Sequence, residues 1–376
     1  MIGLFIYPVL AKLMLTHYRP EAIPSIIDSL RQASQSPRNP AHLSRILTIM
    51  LYVIKELSAG KLLRTKANLQ SVAPEILQIL GSFYVDKVQT WRTFLLNGGD
   101  DEGRASEAIG QSLLAIRVLR RLIIAGYDFP NRHNEMAEIW NVVGTQLDEI
   151  LSFVMSDSYP IHSNVRCLIE KHLVQFAKLH LIMAQEHPAG FVLLPGSINL
   201  VRAYWKLIKQ FGQTFGLHSI DGFSKIGDHG DVNDDEAPVT ETMTLKGLLL
   251  LRGCAKMVFN PAQTFKYQQA EDKEEKKTAR ELVKNDLLTD AFAQEVMKTL
   301  VTQFFVFRPR DLYDWEEEPE EWESREEGEG DVWEFSIRSC SEKLFLDLVI
   351  NYKQLLVPPL LGVFQTIASM STYLQA

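Results

Sequence analysis

The stretch Asp311-Leu312-Tyr313-Asp314-Trp315-Glu316-Glu317-Glu318-Pro319-Glu320-Glu321-Trp322 sets indole rings among carboxylates. Such rings can hold a segment to an apolar surface while the carboxylates beside them face a cationic partner, because contact and charge come from different sides. Asp314, Trp315, Glu316, Glu317, Glu318, Glu320, Glu321 and Trp322 are therefore candidate partner-binding residues, suited to a basic protein surface. The alternative is a solvated acidic insertion. A segment that only solvates has little use for tryptophan, which brings the two readings level. A second candidate is Arg117, Arg120 and Arg121, whose i, i+3, i+4 spacing puts them on one helix face. They could take an acidic partner or pair with the chain's own acid run, or form a solvated stripe.

Other chemistries find no support. His133, His172, His180, His187, His218 and His229 make no metal-ligand pair with cysteine, no HExxH occurs, and His172 and His180 are expected on or beside a packed face. Asp231, Asn233 and Asp235 imitate the start of a calcium loop. Glu236 stands where that loop needs glycine, however, and Thr242 where it needs a bidentate glutamate. There is no GxSxG, no phosphate-binding P-loop and no GxGxxG after a strand. No catalytic residue, metal or cofactor is expected. Cys167, Cys254 and Cys340 are isolated, which fits a reducing compartment rather than a disulfide framework.

Charge is unevenly placed. The chain carries 39 Lys and Arg against 47 Asp and Glu, a net charge of −8. Asp311 to Glu334 holds thirteen acids and one base, Arg325, so this segment contributes −12 and the rest about +4. No dense basic stripe of the kind that direct nucleic-acid binding requires is visible. Met1 to Leu15 is apolar apart from Lys12 but shorter than a membrane span and without a charged start. It reads as part of a helix, with a signal anchor as the alternative.

The elements that carry these residues are helices. With 46% hydrophobic and 23% charged residues the 376-residue chain has enough apolar surface to fold. Asn39 and Pro40 start a helix whose face carries Leu43, Ile46, Leu47, Met50 and Ile54, and Gly60 ends it. A helix is expected from Leu69 to Leu96, kinked at Pro74 or not, and another from Glu107 to Ala125. The apolar arc of the latter is so wide that it needs neighbours on two sides. Further helices are expected over Asn134 to Met155, Asn164 to Glu186, Ile198 to Phe215, Thr242 to Phe259, Arg280 to Phe305 and Ser341 to Leu356. A last one covers Leu360 to Tyr373, after the breaker Pro358-Pro359.

Roughly eleven helices on short turns, without strand alternation, predict an all-α chain of stacked antiparallel hairpins, an α-solenoid of HEAT or armadillo type. The chain is read as one such solenoid over residues 1–376, with flexible acidic insertions at about 216–239 and 311–334. A charge run, Glu271 to Lys277, opens or precedes a helix.

Several stretches resemble the karyopherin-β (importin-β) transport receptors, in particular their importin-eleven branch. They are Leu51-Tyr52-Val53-Ile54-Lys55-Glu56-Leu57-Ser58 followed by Lys61-Leu62, and Leu113-Leu114-Ala115-Ile116-Arg117-Val118-Leu119-Arg120-Arg121-Leu122. The strongest are Trp315-Glu316-Glu317-Glu318-Pro319-Glu320, Gly330-Asp331-Val332-Trp333 and Cys340-Ser341-Glu342-Lys343-Leu344-Phe345, in that order. The resemblance implies a non-catalytic HEAT solenoid that binds cargo, Ran in its GTP form and phenylalanine-glycine nucleoporins, shuttles between nucleus and cytoplasm and visits the nuclear envelope. It implies protein import, with export or a passive scaffold for a complex as alternatives. No importin N-terminal segment is recognisable before Tyr18-Arg19-Pro20, and the family's further repeats do not follow Met370, so a middle fragment is expected.

Overall fold

The computed structural model describes residues 7–12, 19–35, 40–59, 63–96, 102–154, 163–216, 239–259, 270–327, 334 and 336–373. Among them every regular element is helical, and the fold is an all-α solenoid of HEAT type. The chain clusters into two compact units, Met1–Pro195 and Gly196–Ala376.

The first unit contains α1 (Arg19–Gln35), α2 (Pro40–Ala59), α3 (Leu63–Leu96), α4 (Glu102–Gly126), α5 (Asn134–Val154), α6 (Ser163–Glu186) and the short α7 (Pro188–Leu193). Successive helices pair as hairpins, α1 with α2, α3 with α4 and α5 with α6. The hairpins stack so that α2, α4 and α6 lie side by side in one layer and α1, α3 and α5 in the other. Helix α4 therefore touches α2, α3 and α6, which accounts for its wide apolar arc. Ile109, Ile116, Leu119, Leu122 and Ile123 are fully buried along it. Each such side chain contributes about 1.5–3 kcal/mol relative to exposure. Pro74 lies inside α3 without ending it, and its ring faces outward.

Two polar contacts cross between helices in this core. Tyr84 Oη of α3 donates to Gln146 Oε1 of α5 at 2.7 Å. His172 Nε2 of α6 meets Ser112 Oγ of α4 at 3.0 Å, and its ring lies among Tyr84, Trp91 and Phe176. His180 stacks on Phe176 and meets the edge of Trp140. Both histidines are completely buried, and burial pushes each down to about 3, with the Arg117 charge adding for His172.

The second unit contains α8 (Ser197–Phe215), α9 (Val239–Phe259), α10 (Ala270–Leu282), α11 (Asp290–Thr299), α12 (Pro309–Glu317), α13 (Pro319–Glu327), α14 (Ile337–Asn351) and α15 (Lys353–Tyr373). Helix α9 packs on α8 and α14, and α11 packs on α14 and α15. The single helix expected over Arg280 to Phe305 is instead divided. Helix α10 runs into a π turn, Val283–Leu287, and the chain restarts at Thr289, whose side chain accepts from the Phe292 N–H at 3.3 Å. A second π turn, Leu300–Phe304, closes α11.

The expected break at Pro358-Pro359 does not occur, and α15 runs through both. The carbonyls left without helical donors belong to Gln354 and Leu355, beside an exposed face where water can replace the missing N–H groups. The insertion expected over 311–334 is helical as far as 327, as α12 and α13. Of the segment 216–239, residues 217–238 lie outside the described residues, and with them the calcium-like Asp231, Asn233 and Asp235.

Candidate functional site

Helix α12 begins with Pro309 in its first turn, where proline's missing N–H is no loss. Three residues into the helix frame Asp311 reaches back, its Oδ2 accepting from the Arg308 N–H at 2.8 Å. The same carboxylate takes the Arg308 side chain, Nε at 3.1 Å and Nη2 at 3.2 Å, and a short bond from Arg338 Nη2 of α14. Arg338 Nη2 also donates to the Val306 carbonyl at 3.0 Å. Burial pushes the Asp311 carboxyl up, but the bonds from Arg308 and the charges of Arg308 and Arg338 outweigh it and hold the group below the usual carboxylate range.

Aromatic rings continue this cluster on both sides. The Arg308 guanidinium lies over the Phe215 ring at 5.0 Å and that of Arg338 over Phe307 at 5.4 Å. Phe307 in turn stacks on Trp322 of α13, with centroids 5.5 Å apart. Trp322, Phe307, Arg338, Asp311, Arg308 and Phe215 thus form one continuous stack that ties α12 and α13 to α8 and α14. Helix α12 ends where the Glu318 N–H bonds the Asp314 carbonyl at 2.9 Å, and Pro319 starts α13 at once.

The two tryptophans of the candidate site separate. Trp322 is half-buried and anchors the hairpin, whereas Trp315 is 51% exposed. Beside it Leu312 and Tyr313 are exposed, as are Glu316, Glu317, Glu318, Glu320 and Glu321, and Asp314 is half-buried. The hairpin therefore presents an aromatic and aliphatic patch rimmed by carboxylates. Trp333 lies outside the described residues. Arg117, Arg120 and Arg121 stand half-buried on α4 in the other unit. Of the anchoring pair, Asp311 has a readable signal in the Arg308-Pro309 start of the helix, but Arg338 lies 27 residues on and nothing local announces the contact.

Among the described residues no three His, Cys, Asp or Glu side chains are grouped to hold a metal ion. No described helix is long and apolar enough to cross a membrane. Cys254 and Cys340 are buried, and burial pushes both thiols up to about 12, far from reactive thiolates.

Stacked helix hairpins carrying an anchored acidic and aromatic hairpin define an α-solenoid. No family model matches the chain. It is 26% identical over 332 residues to the importin-β-like protein KAP120 of Saccharomyces cerevisiae, covering 86% of this chain and 29% of that protein. It is 25% identical over 350 residues to importin-11 of Homo sapiens, covering 93% of this chain and 32% of importin-11. The solved structure of Lph2, described as a novel bidirectional nuclear transport receptor in S. cerevisiae, matches with a TM-score of 0.77 and 21% identity over 96% of this chain and 32% of Lph2. In sequence the chain is thus similar to importin-β-like proteins, and in fold to a solved nuclear transport receptor. It spans about a third of the length of the curated relatives it matches.

Proposed function

We propose that this chain serves protein transport between cytoplasm and nucleus as part of a receptor that binds cargo, Ran-GTP and phenylalanine-glycine nucleoporins without catalysing a reaction. The observation that carries the reading is the likeness to importin-11 over 93% of the chain, residues of both units included. A solenoid suits such work. Each hairpin contacts chiefly its neighbours, so small changes at successive hairpins can couple two binding events. Shuttling, with passage through the nuclear envelope, follows from the same reading.

Within it, the α12–α13 hairpin contacts a basic partner surface. Leu312, Tyr313 and Trp315 supply apolar contact, while Glu316, Glu317, Glu318, Glu320 and Glu321 supply charge. Because the hairpin is held by the Asp311 cluster, little ordering cost attends binding. Replacing those five glutamates by glutamine is expected to weaken a basic cargo peptide about tenfold and to flatten its salt dependence. An unchanged salt slope leaves the solvated-insertion reading in its place.

Ran loaded with a GTP analogue and titrated against the 376-residue chain tests the transport reading directly. Binding at about micromolar affinity, with cargo affinity altered by it, supports the reading. No binding by the chain or by a longer natural form containing it overturns the reading in favour of a passive scaffold. The name of Lph2 as a bidirectional receptor favours keeping import and export together. Cargo lost on Ran-GTP binding means import, and cargo gained means export.

A further inference from the structure

Charge in the first unit is sorted by layer. Helices α2, α4 and α6 carry nine bases against five acids, a net +4, whereas α1, α3 and α5 carry six bases against eight acids, a net −2. Helix α4 lies between α2 and α6 and shows only a narrow half-exposed stripe, with Leu114, Arg117, Arg120, Arg121 and Ile124 along it. The Nε atoms of Arg120 and Arg121 are buried without a hydrogen-bond partner. Burial, with Arg121 and Arg117 adding, pulls the Arg120 guanidinium down to about 10.

Such a stripe is costly in the free chain, because three like charges crowd together and two buried donors have no acceptor. A carboxylate placed between the exposed ends of the guanidinium groups would relieve the crowding of like charge. Arg117 and Arg121 are one helical turn apart, about 6 Å along the axis. That span matches two or three carboxylates of a peptide. Leu114 and Ile124 bracket the arginines with apolar surface.

We propose that the Arg117, Arg120 and Arg121 stripe of α4, flanked by α2 and α6, is a docking surface for a short acidic segment of a partner protein, with hydrophobic residues interspersed. The guanidinium groups take the carboxylates bidentately, and Leu114 and Ile124 take the apolar side chains. The surface does not depend on the transport reading and could serve a scaffold equally well.

The test uses the 376-residue chain and a fluorescein-labelled peptide of alternating Asp, Glu and Leu, followed by anisotropy at about 50 mM salt. The chain is expected to bind it, and the double change Arg117→Gln and Arg121→Gln to weaken binding at least about tenfold with a shallower salt slope. Arg117→Lys with Arg121→Lys should lose part of the affinity but keep the slope, since charge remains and the fork does not. Hydrogen exchange on the unaltered chain, which needs no variant to fold, should show peptide protection over 110–124 and on α6. Absence of binding at about 50 μM, unchanged affinity in the glutamine variant with native circular dichroism, or protection elsewhere overturns the proposal. Tighter binding of a single-stranded oligonucleotide with the same arginine dependence overturns it in favour of a nucleic-acid surface. Binding that appears only after Glu316, Glu317, Glu320 and Glu321 become Gln overturns it in favour of the chain's own acid run.

Discussion

Asp311 is only 5% exposed, and a carboxylate taken that far from water needs cations that are themselves held in place. Arg308 is positioned by the helix start that Asp311 itself caps, and Arg338 by α14 and the Val306 carbonyl. Asp311→Asn keeps the size and removes the charge, so Arg338 is left buried beside a neutral amide. The second unit should lose about 3–5 kcal/mol, more than an exposed ion pair could account for. Urea unfolding followed by circular dichroism reads this, and a change under about 1 kcal/mol would show that the cluster is not what holds α12 and α13. The sequence announced the carboxylates and rings of this site but did not separate the roles of the two tryptophans. Trp322 has Phe307 to stack on, whereas Trp315 is turned to the exposed side of α12, a difference set by helix phase and by an aromatic outside the acid run.

Helix α8 approaches the π turn Leu300–Phe304 closely because Gly212 has no side chain. A Cβ there would stand 2.9 Å from Phe304 Cζ, and Phe304 is fully buried with no room to retreat. Gly212→Ala gains about 0.5–1 kcal/mol of helix propensity but forces a ring in a packed core, at about 1–3 kcal/mol. The steric term wins, and a lowered thermal midpoint is expected; a raised one would mean that α8 can shift away. Helix periodicity made most elements legible, since α4, α5, α6 and α8 start and end within a few residues of their expected positions. Departures came where local signals compete. Thr289 divides one apolar pattern into two helices by capping the second, and α15 keeps its course through two prolines whose orphaned carbonyls lie near solvent. Pairing between hairpins, which decides that α4 is enclosed by α2, α3 and α6, has no signature in sequence beyond the width of the apolar arc.

The two units should respond differently to acid. His172 and His180 lie in the core of the first unit, and among the described residues the second unit has no histidine. Burial holds both neutral in the folded state down to about 3, while in the unfolded chain each takes a proton near its ordinary value of 6.5. Between these values the unfolded state binds more protons, so the contribution is fully present above 6.5 and is lost progressively as pH falls. At pH 5 this amounts to about 2 kcal/mol for each histidine. The depressed groups of the second unit, Asp311 and Glu295, act only further down, because each is lowered from an ordinary value of 3.8 or 4.5, Glu295 chiefly by its bond from Lys209. Lowering the pH from 7 to 5 should therefore lower the hydrogen-exchange protection factors of α3 to α6, corrected for the intrinsic rate at each pH, while leaving those of α9, α11 and α14 nearly unchanged. His172→Gln with His180→Gln lowers stability at every pH but should abolish this selective response, because neither amide titrates. Equal acid sensitivity of the two units, or a response that survives the double change, would place the proton uptake on groups other than these two rings.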